Sequence, residues 1–191
     1  RDLDSSRGLG DVYTRQLKVF GYDINSEKVS KLNQGVSPIE DVSDKTLNSS
    51  IESGLIFSDD SNSLRDCEHI VISVPTPLTD FKPDLSYVIS AAQEIAKNIV
   101  KGQIIILEST TYPGTTLEVL IPEIQKISDL KPGEDIYFGY SPERIDPGNK
   151  EWNFKNTPKV VSGINDDSLL KIKSFYEKII AVSYTHLTLP T

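Results

Sequence analysis

The sequence predicts an α/β chain built on a doubly wound, mostly parallel sheet. Ile104 to Leu107 is an uninterrupted apolar run between Lys101-Gly102 and the hydroxyl-rich Glu108-Ser-Thr-Thr, and a strand apolar throughout is one covered on both faces. A second run, His69 to Val74, is stopped by Pro75 and Pro77, since proline cannot donate to a ladder. Around these runs, segments with apolar residues at helical spacing alternate with strands, the pattern of α/β units.

Composition narrows the function classes. At 191 residues the chain suffices for one full domain, burying roughly 70% of its unfolded surface. Its formal charge of -8 argues against a nucleic-acid or anionic-membrane surface, which needs a clustered basic face. No apolar run approaches the roughly 20 residues of a membrane helix, and no secretory signal is evident, so a cytoplasmic protein is expected. A single cysteine and two distant histidines offer neither a disulfide framework nor a metal site.

Taken in order, Arg1 to Gln16 is the least protein-like stretch. It holds Gly8-Leu9-Gly10, but a dinucleotide fingerprint follows a buried strand, and Arg1 to Arg7 is charged. Tyr13 occupies the third glycine position, and no helix-length segment separates the match from the next strand. This leader and the tail Ser183 to Thr191 resemble adaptor read-through, so the domain is expected over residues 17–182, without its first strand and glycine-rich loop.

Leu17 to Asp23 reads as a strand, followed by Asn25 as an N-cap and a helix carrying Val29 and Leu32. An acid closing the second strand of a dinucleotide fold accepts hydrogen bonds from the adenosine ribose and repels a 2′-phosphate, which favours NAD over NADP. The plainer alternative is that Asp23 caps the turn. A short helix from Asp44 to Ser53 and a strand at Leu55 to Phe57 follow. The proline-bounded loop Val74-Pro-Thr-Pro77 either holds backbone near a ligand or simply ends its strand.

Asp84 is expected to cap a helix whose face is Leu85, Val88, Ile89, Ala92, Ile95, Ala96 and Ile99. The strand from Ile104 then delivers Ser109, Thr110 and Thr111 to its carboxyl end, where open α/β sheets place ligands. Beyond the Pro113-Gly114 turn, Leu117, Leu120, Ile121 and Ile124 suggest a helix kinked at Pro122. Asp135 to Tyr140 reads as a strand, Ser141-Pro-Glu-Arg-Ile-Asp-Pro-Gly148 as a functional loop, Lys159 to Ile164 as a strand, and Asp166 to Ile180 as an amphipathic helix. Cys67, between Asp66 and Glu68, has surroundings that disfavour a thiolate and so a nucleophilic role.

With Asp23, Val74-Pro-Thr-Pro77, Glu108-Ser-Thr-Thr-Tyr-Pro-Gly-Thr115 and Ser141 to Gly148 in that order, the chain resembles the Rossmann-like NAD-binding domain of the UDP-glucose/GDP-mannose dehydrogenase family. Within it, the look is of enzymes acting on UDP-N-acetylglucosamine or UDP-N-acetylmannosamine in polysaccharide biosynthesis. The resemblance covers about Leu17 to Ile180. It implies NAD as cofactor, a UDP-sugar as substrate, a homodimer or higher homo-oligomer, and oxidation of the sugar C6 hydroxymethyl to a carboxylate in two hydride transfers.

Residue by residue, Asp23 matches the family's ribose-binding acid, Lys28 a nearby cofactor contact, and Val74, Pro75 and Thr76 the cofactor-binding loop. Thr110 matches a threonine beside the nicotinamide that holds a catalytic water. Glu143 matches an acid that assists proton transfer, and Arg144 and Ile145 match contacts to the nucleotide sugar. Each has a plainer alternative: Thr110 as an N-cap, Lys28 as a solvated helix residue, Arg144 as the partner of Asp146. The resemblance places the family's catalytic cysteine, lysine and asparagine in later domains, so a fragment inactive by itself is expected. A related two-domain hydroxyacid dehydrogenase and a non-catalytic nucleotide-binding module are the competing readings.

Overall fold

The computed structural model describes residues 18–38, 42–79, 82–142, 159–180 and 183–186. Gly8 and Gly10 of the leader, and Glu143, Arg144 and Ile145 of the expected substrate loop, lie outside them. The chain forms two compact units, one up to Ser63 and one from Leu64.

In the first unit, β1 (Phe20–Tyr22) pairs in parallel with β2 (Ile56–Ser58), with Phe20 opposite Ile56. Two helices connect them, as a parallel pair requires. The first, α1 (Ser26–Asn33), starts where the Asn25 side chain accepts the Lys28 amide at 3.0 Å. It buries Val29 and Leu32 and is followed by Gly35 at φ 74°, a left-handed turn suited to glycine. The second, α2 (Asp44–Glu52), is capped by Ser43 and buries Leu47.

The second unit holds the main sheet, in the order β3-β6-β7-β8-β9. Its strands are β3 (His69–Ile72), β6 (Ile104–Leu107), β7 (Tyr137–Tyr140), β8 (Lys159–Gly163) and β9 (Ser183–His186). All neighbouring pairs are parallel except β7 with β8. Every residue of β6 is buried, and Ile105, Ile106 and Leu107 are 0% exposed, as expected of a strand covered on both faces. The start of β6 is fixed by buried Gln103, whose side-chain amide donates to the carbonyls of Leu64 (2.8 Å) and Cys67 (2.7 Å).

Helix α3 (Ser86–Asn98) buries Val88, Ala92, Ile95 and Ala96. It begins after the expected cap, yet Asp84 still serves its end: the carboxylate accepts the Ser86 amide at 2.9 Å. The kink expected at Pro122 is instead a π-turn, Thr116–Leu120, running into α4 (Ile121–Gln125). Here the Ile121 amide donates to Thr116, just before a proline that has no amide to give. The wider turn breaks the 3.6-residue period, so Leu117 is 47% exposed while Leu120, Ile121 and Ile124 stay buried.

Helix α5 (Asp166–Glu177) is capped by Asn165 and packs on β7 and β8. A short antiparallel pair, β4 (Leu78–Thr79) with β5 (Lys82–Pro83), follows Pro77 where the sequence suggested only a loop. Residues 183–186, set apart from the fold in the sequence reading, extend the sheet through backbone pairing with β8. Tyr and Thr favour extended backbone, and the edge of β8 offers a ladder to such a segment.

Candidate functional site

In the first unit, β1 ends at Tyr22 and the Asp23 amide continues the pairing by donating to the Ser58 carbonyl at 3.2 Å. The Asp23 carboxylate divides its oxygens: Oδ1 accepts the Asn25 amide at 2.9 Å, and Oδ2 lies 2.5 Å from Lys28 Nζ. Asp23 therefore does cap its turn, and Lys28 is its partly exposed ion-pair partner. The two side chains remain 29% and 37% exposed, open to a ligand from solvent.

In the second unit, the segments leaving β3 and β6 are tied together beyond the ends of their strands. The last backbone rung is the Glu108 amide to the Ile72 carbonyl, 2.8 Å. Past it, side chains take over. The Ser109 hydroxyl donates to the Val74 carbonyl at 2.7 Å, and the Thr76 hydroxyl donates to the Thr110 carbonyl at 2.5 Å. Ser109 is buried while Thr110 is exposed, so one hydroxyl anchors the strand end and its neighbour faces solvent. The Val74-Pro75-Thr76 loop and Thr110 are thus neighbours, locked by reciprocal hydroxyl-to-carbonyl bonds. These bonds employ the hydroxyls of Ser109 and Thr76 and the carbonyl of Thr110.

Beside this strand end a cavity of about 190 Å³ is lined by the Thr111 to Thr116 turn and by Tyr140. Gly114 sits there at φ 91°, as the tight turn demands. Burial pushes the Tyr140 phenol above its ordinary pKa, against hydrogen bonding with Thr111. On the far side of β6, the Ser141 amide donates to the Leu107 carbonyl at 3.0 Å. That bond places the first residue of the Ser141-Pro-Glu-Arg motif next to the end of β6.

The family model of the UDP-glucose/GDP-mannose dehydrogenase NAD-binding domain matches residues 11–180. The chain belongs to that family. Its match begins at residue 11, within the leader that the sequence reading set apart. The family member UDP-N-acetyl-D-glucosamine 6-dehydrogenase of Pseudomonas aeruginosa is 37% identical over 175 residues, spanning 91% of this chain and 41% of that protein. UDP-N-acetyl-D-mannosamine dehydrogenase of Pyrococcus horikoshii is 32% identical over 164 residues, 85% of this chain and 39% of its own length. A solved structure of the UDP-D-ManNAc dehydrogenase of Pyrococcus horikoshii superposes with a TM-score of 0.86 at 28% identity, covering 95% of this chain and 44% of that one. The chain therefore spans about two fifths of the length of the curated relatives it matches.

The UDP-glucose/GDP-mannose dehydrogenase domain matched here is the NAD-binding one, so the fold is Rossmann-like and the cofactor is NAD. Among the described residues no helix is long and apolar enough to cross a membrane. Cys67 has its thiol pKa raised, chiefly by burial and then by the charge of Asp66, the direction expected from its sequence neighbours and opposite to that of a nucleophile.

One cluster escaped the sequence reading. Glu108, Lys159 and Tyr176 meet in the interior: Lys159 Nζ is 2.7 Å from Glu108 Oε1, and the Tyr176 hydroxyl donates to the same oxygen. The available signals were a carboxylate ending an apolar strand and a lysine opening one, each unremarkable alone.

Proposed function

We propose that this chain is the cofactor-binding part of a longer NAD-dependent 6-dehydrogenase acting on a UDP-N-acetylhexosamine, and that it is inactive by itself. The observation that carries the reading is the Thr76 to Thr110 bond, which joins two strand-end segments at the place where α/β sheets bind ligands. The donor set suits NAD. Asp23 presents a partly exposed carboxylate to vicinal hydroxyls, and its charge would repel a 2′-phosphate. NAD, when bound, supplies the hydride acceptor for both oxidation steps.

The chain's own residues bind and orient. Asp23, steadied by Asn25 and Lys28, receives the adenosine ribose. Val74, Pro75 and Thr76 form the wall along the cofactor, stiffened by proline. Thr110 has its carbonyl pinned by Thr76, and its exposed side chain is free to hold a water, a role a hydroxyl suits because it donates and accepts at once. Glu143 assists proton transfer, and Arg144 and Ile145 contact the nucleotide sugar, an arginine there complementing its anionic oxygens.

The test is NADH formation by the full-length protein with UDP-N-acetylglucosamine, UDP-N-acetylmannosamine and UDP-glucose. The reading expects a UDP-N-acetylhexosamine to be preferred, with two NADH formed per sugar. Turnover of a small hydroxyacid with one NADH, or tight NAD binding with no turnover of any sugar, would overturn it.

A further inference from the structure

We propose that Glu108, Lys159 and Tyr176 are positioning residues that hold the end of β6 and, through it, Thr110; this rests on the reading of Thr110 as part of the hydride-transfer site. Backbone pairing stops at this point: the Glu108 amide to Ile72 and the Ser141 amide to Leu107 are the rungs flanking the strand end. Successive residues of a strand point to opposite faces, so Glu108 and Ser109 anchor the strand end on its two sides. Ser109 is held on one by the Val74 carbonyl. On the other, Glu108 is held by the first residue of β8 and by α5.

The cluster is closed to solvent, with the side chains of Lys159 and Glu108 6% and 11% exposed and Tyr176 2% exposed. Lys159 Nζ also lies 5.5 Å from the centre of the Tyr176 ring. Burying an ion pair is a poor way to gain stability, because loss of hydration offsets the attraction and apolar groups of equal volume often do as well. What apolar groups lack is direction. A carboxylate oxygen gripped by an ammonium and a phenol at once has one position, and that position sets the residue two before Thr110.

This argument separates positioning from stability. In the full-length protein, Glu108→Leu combined with Lys159→Met removes both charges of the pair together. Because the Tyr176 hydroxyl loses its Glu108 acceptor while two buried charges are removed, the double variant is expected to melt within about 5 °C of the wild-type temperature. Its kcat for NADH formation should fall by about tenfold to a hundredfold, with KM for NAD and sugar within about threefold, as for a misplaced reacting group. Deuterium uptake across residues 107–111 of this chain should rise. Tyr176→Phe, which removes one hydroxyl and keeps the ring, should show the same kcat effect more weakly.

Wild-type kcat and wild-type exchange in the double variant would overturn the proposal. So would a double variant that fails to fold beside a Tyr176→Phe variant with unchanged kcat. If the wild-type protein forms no NADH from any nucleotide sugar, the functional reading fails, and exchange at residues 107–111 still decides whether the cluster holds the strand end.

Discussion

The Thr76 hydroxyl donates to the Thr110 carbonyl across 2.5 Å, joining two residues 34 positions apart in the sequence. The bond fixes one peptide of the β6 exit against the proline-bounded loop. Thr76→Val keeps the shape and removes the donor, whereas Thr76→Ser keeps the donor. A hydrogen bond of this kind contributes about 1 kcal/mol, so the valine variant of the full-length protein should bind NAD roughly fivefold more weakly. The serine variant should stay within about twofold, and isothermal titration distinguishes the two.

On the proposed reading, Asp23 discriminates between NAD and NADP. Asp23→Asn preserves an acceptor for the Asn25 amide but removes the charge that, on this reading, would repel a 2′-phosphate. Titration of the full-length variant with both cofactors should show their affinity ratio shift by about tenfold toward NADP. Lys28→Met should cost less than about 1 kcal/mol in stability, because the ion pair is about one third exposed.

His69 makes stability depend on pH. It stacks on Phe175 with ring centres 4.4 Å apart, and burial lowers its pKa below the ordinary 6.5, with Lys178 acting in the same direction and Glu68 opposing. Between that ordinary value and the lower folded one, the unfolded chain binds more protons than the folded chain. The stabilising contribution is therefore complete above the unfolded value and is lost as pH falls through the window beneath it. Melting temperatures measured from pH 7.5 downward should decline in this window, and His69→Phe, which keeps the stack, should flatten the decline.

Two glycines should respond differently to alanine. A Cβ at Gly139 would run into the Ser162 carbonyl oxygen across the β7/β8 pair and into Ile172 of α5, while one at Gly102 would meet nothing within 4 Å. Gly139→Ala is expected to cost at least about 3 kcal/mol, the upper part of the range for overpacking, since backbone cannot step aside. Gly102→Ala, at φ 98°, should cost about 1 to 2 kcal/mol through backbone strain alone. Urea denaturation of both variants checks the order.

Much of the fold was legible from local pattern. The apolar runs at His69 and Ile104 became β3 and the fully buried β6, and Asn25 capped its helix as its position suggested. Asp23, the Val74 loop and Thr110 stood out because each closes a strand, and strand ends are where a sheet meets ligands. Pattern failed where periodicity itself changed, as at Thr116–Leu120, where the π-turn turned Leu117 outward. The antiparallel course of β8 was equally hidden, because an apolar strand reads the same in either direction.

By itself the sequence determined the buried strands, the helix caps, the order of the motifs and thereby the family, since each is written within a few consecutive residues. Only the tertiary structure decided which side chains meet across elements. Thr76 reaches Thr110, and Glu108 gathers Lys159 and Tyr176, because β6 lies beside β3 and β8 returns antiparallel beneath α5. Those pairings depend on strand register and helix docking, distances fixed by packing and encoded in no local period.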